Sequence, residues 1–127
     1  MLKNIIFFLL LIVVISCSLE HSNPLDPKNS GIQAPNEVTN IIVTKTAQNH
    51  VNITWASQPA VDGYFIYRSF SEDGQFDRLE ILAAGTTTYL DLITITNYHT
   101  WYKLSAYIIV AGDSLEGYRS APKTWNN

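Results

Sequence analysis

Residues 36–127 are expected to form an all-β domain, a seven-stranded antiparallel β-sandwich, on three grounds. Seven short segments are rich in β-branched and aromatic residues and alternate with period two. Turn-forming residues separate them, and no helical stretch interrupts the series. The composition, 46% hydrophobic and 12% aromatic with only 15% charged, belongs to a chain that buries a core. At 127 residues there is room for one such core.

In chain order the segments are "VTNIIVTKT" (38–46), "HVNITWA" (50–56), "GYFIYRS" (63–69), "RLEILAA" (78–84), "TTYLD" (87–91), "WYKLSAYIIV" (101–110) and "GYRSAPKTW" (117–125). Each reads as a strand because Val, Ile, Thr and the aromatics suit a pleated, half-buried surface. The breaks fall at Gln48-Asn49, Gln58-Pro59, Asp73-Gly74, Gly85, Asn97 and Gly112-Asp113, residue types that tolerate turn geometry. Seven strands in so short a span argue for two stacked sheets.

The pieces carry a resemblance. Val51-Asn52-Ile53-Thr54-Trp55 looks like a second strand with a core tryptophan, and Asp62 to Ser69 like a third, followed by "GQF" at Gly74 to Phe76. Thr87 to Asp91 looks like the fifth strand, Tyr102 to Ala106 the sixth and Ser120-Ala121-Pro122 the start of the seventh. In this order they resemble the fibronectin type III family, an immunoglobulin-like sandwich, in the form found in bacterial secreted proteins. A Cys…Trp…Cys pattern is missing, which separates the chain from true immunoglobulin domains. At the family's tyrosine-corner position stands Thr100, so either Tyr98 or Tyr102 supplies the corner hydroxyl or the corner is lost.

Strand phase assigns faces, because alternate residues point to opposite sides. Val51, Ile53, Trp55, Tyr64, Ile66, Tyr102, Leu104, Ala106 and Ile108 are expected inward, with Trp55, Tyr64, Ile66, Tyr102 and Leu104 the structural core. Phe65 and Tyr67 of the third strand then point outward, with Trp101, Tyr107 and Ile109 of the sixth. The resemblance implies that these two strands are neighbours in one sheet. Exposed aromatics of this kind mark partner sites, which makes the five residues a candidate partner-binding face. The competing reading has them covered by one another, by the tether or by the segment from Ile93 to Thr100.

Catalytic chemistry has no foothold. His21, His50 and His99 are scattered, and no nucleophile elbow, zinc-protease helix or phosphate loop is present. Glu72, Asp73, Asp77 and Glu80 lack the alternating spacing of a calcium loop and read as a solvated acidic turn. Asn52-Ile53-Thr54 matches a glycosylation acceptor but lies within a strand. No metal, no cofactor and no enzymatic activity are expected. The net charge is −3, or −4 once Lys3 is set aside, because none of the eleven acidic residues precedes Cys17. A weakly acidic chain without Lys/Arg clusters offers nothing to nucleic acid.

The amino-terminal segment addresses location. Lys3 precedes eleven apolar residues, Ile5 to Ile15, a helix of about 16 Å against a hydrocarbon core of about 30 Å. It is too short to span, and its layout is that of a secretory signal. Val14-Ile15-Ser16-Cys17 resembles the bacterial lipobox, which implies removal of residues 1–16 and lipidation, palmitate included, of Cys17, the sole cysteine. Several acyl chains on one residue, at about 0.8 kcal/mol per buried methylene, hold a domain at a membrane without a spanning helix. Ser18 in place of Asp implies, by the enterobacterial sorting rule, the outer membrane or cell surface rather than the inner membrane.

Residues 17–35, punctuated by Pro24, Pro27, Gly31 and Pro35, read as a flexible tether, and "NPLDP" (23–27) resembles a motif of Bacteroidota surface lipoproteins. The expectation is therefore a cell-envelope lipoprotein, bound to the membrane through Cys17. It displays a fibronectin type III-like module for protein interaction, adhesion or scaffolding, or alternatively for binding extracellular glycan through exposed aromatics.

Overall fold

Period-two alternation becomes seven strands in the computed structural model, which describes residues 31–93 and 98–126. They are β1 (Ile42–Lys45), β2 (Val51–Thr54), β3 (Gly63–Ser69), β4 (Asp77–Ala83), β5 (Thr88–Asp91), β6 (Trp101–Val110) and β7 (Asp113–Glu116). The expected signal, Cys17 and the tether up to residue 30 lie outside the described residues, as do residues 94–97.

Two antiparallel sheets form, one in the order β1-β2-β5 and the other β4-β3-β6-β7. Between them lies the core: Val43, Val51, Ile53, Trp55, Tyr64, Ile66, Tyr102, Leu104 and Ala106, joined by Val38 and Trp125. The Trp55 and Tyr64 rings meet edge to face at 5.5 Å, an arrangement that adds about 0.5 to 1.5 kcal/mol beyond area burial. Ile108 is half-buried at the margin of this layer.

Local backbone chemistry explains where strands begin and end. Asn49, at φ 61°, closes the β1–β2 hairpin, with Thr46 and His50 paired beside it at 2.8 Å. The first strand is shorter than its apolar pattern because Asn40 sits at φ 55° and breaks the extended run. Thr39 nevertheless accepts a bond from Ala56 at 3.0 Å, so the chain stays beside β2.

The seventh strand lies earlier than expected, at Asp113–Glu116 in place of 117–125. Ala111 and Gly112 both have positive φ, 53° and 91°, which makes a two-residue turn whose twist matches antiparallel strands. Residues after Glu116 still follow β6, through Gly117 to Ala106, Ser120 to Leu104 and Lys123 to Tyr102. Three residues advance on one side for every two on the other, so each step carries an extra residue and no regular ladder forms. At Ser120 the side-chain Oγ also accepts from the Leu104 amide at 3.0 Å.

Part of the expected tether belongs to this packing. Pro35 lies so close to Gly117 that a Cβ there would strike the Pro35 carbonyl. Gln58 Nε2 donates to the carbonyls of Asn36 and Glu37 at 3.1 and 3.0 Å, which holds the entering chain against the β2–β3 connection.

The tyrosine-corner alternatives resolve into a different device. Tyr102 is fully buried and its hydroxyl donates to Asp91 Oδ2 at 2.9 Å, while Thr100 Oγ1 donates to that hydroxyl at 2.9 Å. Arg68 Nη1 donates to both oxygens of Asp91 at 3.1 and 2.8 Å, and the Ile93 amide reaches Oδ1 at 3.1 Å. Tyr98 instead meets Phe70 edge to face at 5.7 Å.

Candidate binding face

The outer surface of the four-stranded sheet gathers the five residues of the predicted face. Phe65 and Tyr67 on β3, with Trp101, Tyr107 and Ile109 on β6, all fall on the side away from the core. Their accessibility differs from the expectation, because Phe65 and Tyr67 are each only 3% exposed. Tyr107 stacks on Phe65 at 4.5 Å and 14°, and Tyr67 meets Phe65 edge to face at 6.5 Å. The Arg78 guanidinium lies 5.0 Å above the Phe65 ring, and that of Arg119 lies 3.8 Å above Tyr67. The aromatics therefore form a covered layer beneath cations. Trp101 and Tyr107 remain half-buried, and Ile109 is exposed.

A β-bulge sets this arrangement. Ile66 faces Glu80 but Tyr67 faces Arg78, so Leu79 is the extra residue on β4. Leu79 packs against the core, and Arg78 comes to lie opposite Tyr67. Lys103 is the partner of Tyr67 on the other flank and places its Nζ 4.4 Å over the Phe76 ring. Stacked cations of this kind contribute about 0.5 to 2 kcal/mol each, the larger figure when desolvated.

Glu116 ties the layer together. Its Oε1 accepts from Tyr67 Oη at 2.8 Å, Ser105 Oγ at 2.6 Å and Arg119 Nε at 2.9 Å. Burial opposes its ionisation, but the bonds from Arg119, Ser105 and Tyr67, with the Arg119 charge, outweigh it and hold the carboxyl below its usual range. Tyr67 is pushed up, first by its own burial and then by the bond to Glu116 and that carboxylate's charge. The bond to Glu116 also raises Arg119.

A carboxyl held low takes its proton later in the folded chain than in the unfolded one. Its stabilisation is thus complete above the ordinary carboxylate pKa, about 4.5, and disappears as pH falls through the lower folded value. Glu116→Gln is expected to lower the urea midpoint near neutral pH and to converge with the wild type in acid. Parallel curves down to pH 3 would show that the carboxylate is not the bonded species.

At the turn end of the same face an open groove of about 390 Å³ is lined by Phe65, Arg78, Ile81, Tyr107, Ile109, Gly112, Asp113 and Ser114. The other residues singled out by sequence do not join it. His50 Nδ1 lies 3.4 Å from the Ile93 carbonyl, and His99 stacks on Trp125 at 4.7 Å; His21 is outside the described residues. Asp77 takes a bond from Gln75, Glu80 from the Ile81 amide, and Asn52 Oδ1 from Thr88 at 3.2 Å. Among the described residues no three His, Cys, Asp or Glu gather in a metal-binding arrangement.

Sequence reading missed Arg78, Arg119 and Glu116. It missed Lys103 too, although that residue shares the outward phase of Trp101 and Tyr107.

No protein-family model matches the chain, and no curated protein matches it. Solved structures are similar at the level of fold. An Fn3-like protein from Clostridium thermocellum is 23% identical with a TM-score of 0.57, over 75% of this chain and 97% of that one. The chicken CNTN1 FN1–FN3 domains are 17% identical with a TM-score of 0.57, over 72% of this chain and 30% of theirs. A β-1,2-glucanase from Parabacteroides distasonis is 19% identical with a TM-score of 0.52, over 77% of this chain and 13% of its own. The seven strands, their division into three and four, and these likenesses together make the described residues a fibronectin type III-like β-sandwich.

Proposed function

We propose that this chain is a non-catalytic cell-envelope lipoprotein in which lipid on Cys17 holds a fibronectin type III-like module for protein interaction, adhesion or scaffolding. The observation that carries the binding role is the outer face of β4-β3-β6-β7. There a buried aromatic layer carries Arg78 and Arg119 above it, with Lys103 beside them over the Phe76 ring, a chemically distinctive surface in a chain of net acidic charge. Rigid polar groups on a sheet lose little entropy on binding, which suits recognition. The lipobox-like Val14-Ile15-Ser16-Cys17 supports the anchor and, with it, the envelope location.

A second reading, an accessory module that binds extracellular glycan, draws support from the similar module within the glucanase chain. On this face Trp101 and Tyr107 are the aromatics open enough to meet a sugar ring, since Phe65 and Tyr67 are covered. A glycan array run beside pull-down from envelope proteins separates the two readings.

Expression of the full chain in a bacterial host with labelled palmitate tests the anchor. The wild type is expected to carry label and to fractionate with membranes, whereas Cys17→Ser carries none and is released or retains its leader. An intact Met1, or a Cys17 without acyl mass, overturns the proposal.

A further inference from the structure

Three cationic residues border one tyrosine, each over a different ring. Arg78 on β4 and Lys103 on β6 are the two cross-strand partners of Tyr67, and Arg119 stacks directly on its ring. At ordinary strand spacing the Arg78 and Lys103 backbones are roughly 10 Å apart, with the third charge between them. Glu116 is the carboxylate within the cluster, and it is consumed by Arg119, Tyr67 and Ser105. Asp77 and Glu80 flank Arg78 along β4 but pair with Arg68 and Ile66, residues of the opposite phase, and Asp113 lines the same groove as Arg78 without an ion pair to it. Among the described residues neither Arg78 nor Lys103 is in an ion pair. Arg78 and Lys103 thus stand on one face of an acidic chain, beside an Arg119 whose charge Glu116 balances.

The geometry points to a binding track for a linear acidic polysaccharide, one whose sugar units carry carboxylates, on the outer face of the β4-β3-β6-β7 sheet. This deepens the glycan reading and rests on it. Along β6 the outward residues are Trp101, Lys103, Ser105, Tyr107 and Ile109, a stripe of roughly 27 Å at about 3.4 Å per residue. Trp101, Lys103 and Tyr107 present aromatic, cation and aromatic in turn, with Ser105 buried between them and bonded to Glu116. Half-exposed rings can stack on sugar faces, while guanidinium and ammonium groups take the carboxylates.

The Arg78 guanidinium over the Phe65 ring is in no ion pair among the described residues, and its N–H edge matches a carboxylate with two parallel bonds, whereas that of Arg119 is taken by Glu116. A protein partner that docks through an apolar patch fits less well than a charged one. Stable protein interfaces have an apolar centre and a polar rim, whereas here the centre is charged, its aromatics are already buried, and Ile81 and Ile109 lie toward one end.

The test is binding of the full chain, purified in a non-ionic detergent, to polygalacturonate, a neutral glucan and poly-glutamate at two salt concentrations. Polygalacturonate is expected to bind, with affinity falling steeply as salt rises. Arg78→Gln with Lys103→Gln should weaken it at least about tenfold, the loss of 1.4 kcal/mol, while Arg78→Lys with Lys103→Arg restores most of it. Melting measured alongside guards against misfolding, and the charge-preserving pair keeps the result interpretable if the neutral pair unfolds. Equal binding of poly-glutamate would overturn the polysaccharide in favour of an acidic protein segment. Binding of the neutral glucan unaffected by the neutral pair would overturn the charged track while leaving the glycan reading standing. No binding to any of the three would overturn both.

Discussion

Asp91→Ala is expected to destabilise the domain by about 3 to 5 kcal/mol, the cost of removing one partner from a buried ion pair. Asp91 sits at the end of β5 with its side chain 6% exposed, and Arg68 reaches it from the opposite sheet with its own side chain 24% exposed. The substitution strips the guanidinium of both acceptor oxygens and leaves the Tyr102 hydroxyl and the Ile93 amide without the bonds that Asp91 accepts. Of the three, the Tyr102 hydroxyl is closed to water. Tyr102 is fully buried, and burial pushes its phenol well above the ordinary range, with the Asp91 charge and bond adding to it. The neutral phenol is therefore the donor across the physiological range.

Urea unfolding gives the check. The midpoint should fall sharply with little change in slope, whereas Asp91→Asn, which keeps an acceptor for Tyr102, should cost less. A loss under about 1 kcal/mol for the alanine variant would mean that solvent already reaches the pair, as at a surface salt bridge.

Gly63→Ala is the second large effect, about 2 to 4 kcal/mol, on the scale of an overpacked site that must move backbone. A Cβ at Gly63 would meet the Leu82 carbonyl oxygen on β4 and lie 2.6 Å from the Tyr107 hydroxyl. The side chain can swing aside but the carbonyl belongs to the ladder, so β3 and β4 must separate. Tyr107 crosses the outer face at this glycine to stack on Phe65, and its displacement uncovers that ring. Two readouts should move together, a lower melting temperature and a changed near-ultraviolet dichroism from the Phe65–Tyr107 stack. Wild-type melting in this variant would show that the strands have slack there.

Period-two alternation in "VNITW" and in the first part of "WYKLSAYIIV" specified the sandwich and its inward phase, because a one-residue slip there would expose the apolar set; "GYFIYRS" is apolar in both phases. Val51, Ile53, Tyr64, Ile66, Tyr102, Leu104 and Ala106 are accordingly buried. Weaker patterns misled. Asp113, Ser114 and Glu116 have poor strand propensity and yet form β7, because the turn at Ala111-Gly112 and the free edge of β6 decide pairing there. The segment "GYRSAPKTW" follows β6 only in bulged steps, partly because Pro122 has no amide proton to donate.

Facing and accessibility are separate properties, and that distinction divides the two sources of knowledge about this chain. Residue order alone establishes that Phe65 and Tyr67 point away from the core, since direction along a strand is a local matter of backbone pleat. Whether such a side chain meets water depends on what crosses it from elsewhere. Arg78 comes from β4 through a bulge, Arg119 from the irregular chain after β7, and Tyr107 from β6 across a glycine. These neighbours lie 13 to 52 positions away from the rings they cover, and only the stacking of the strands brings them there. Strand number and phase follow from local pattern; the covered aromatic layer, its cations and the buried Asp91–Arg68–Tyr102 network follow from contacts that no local pattern encodes.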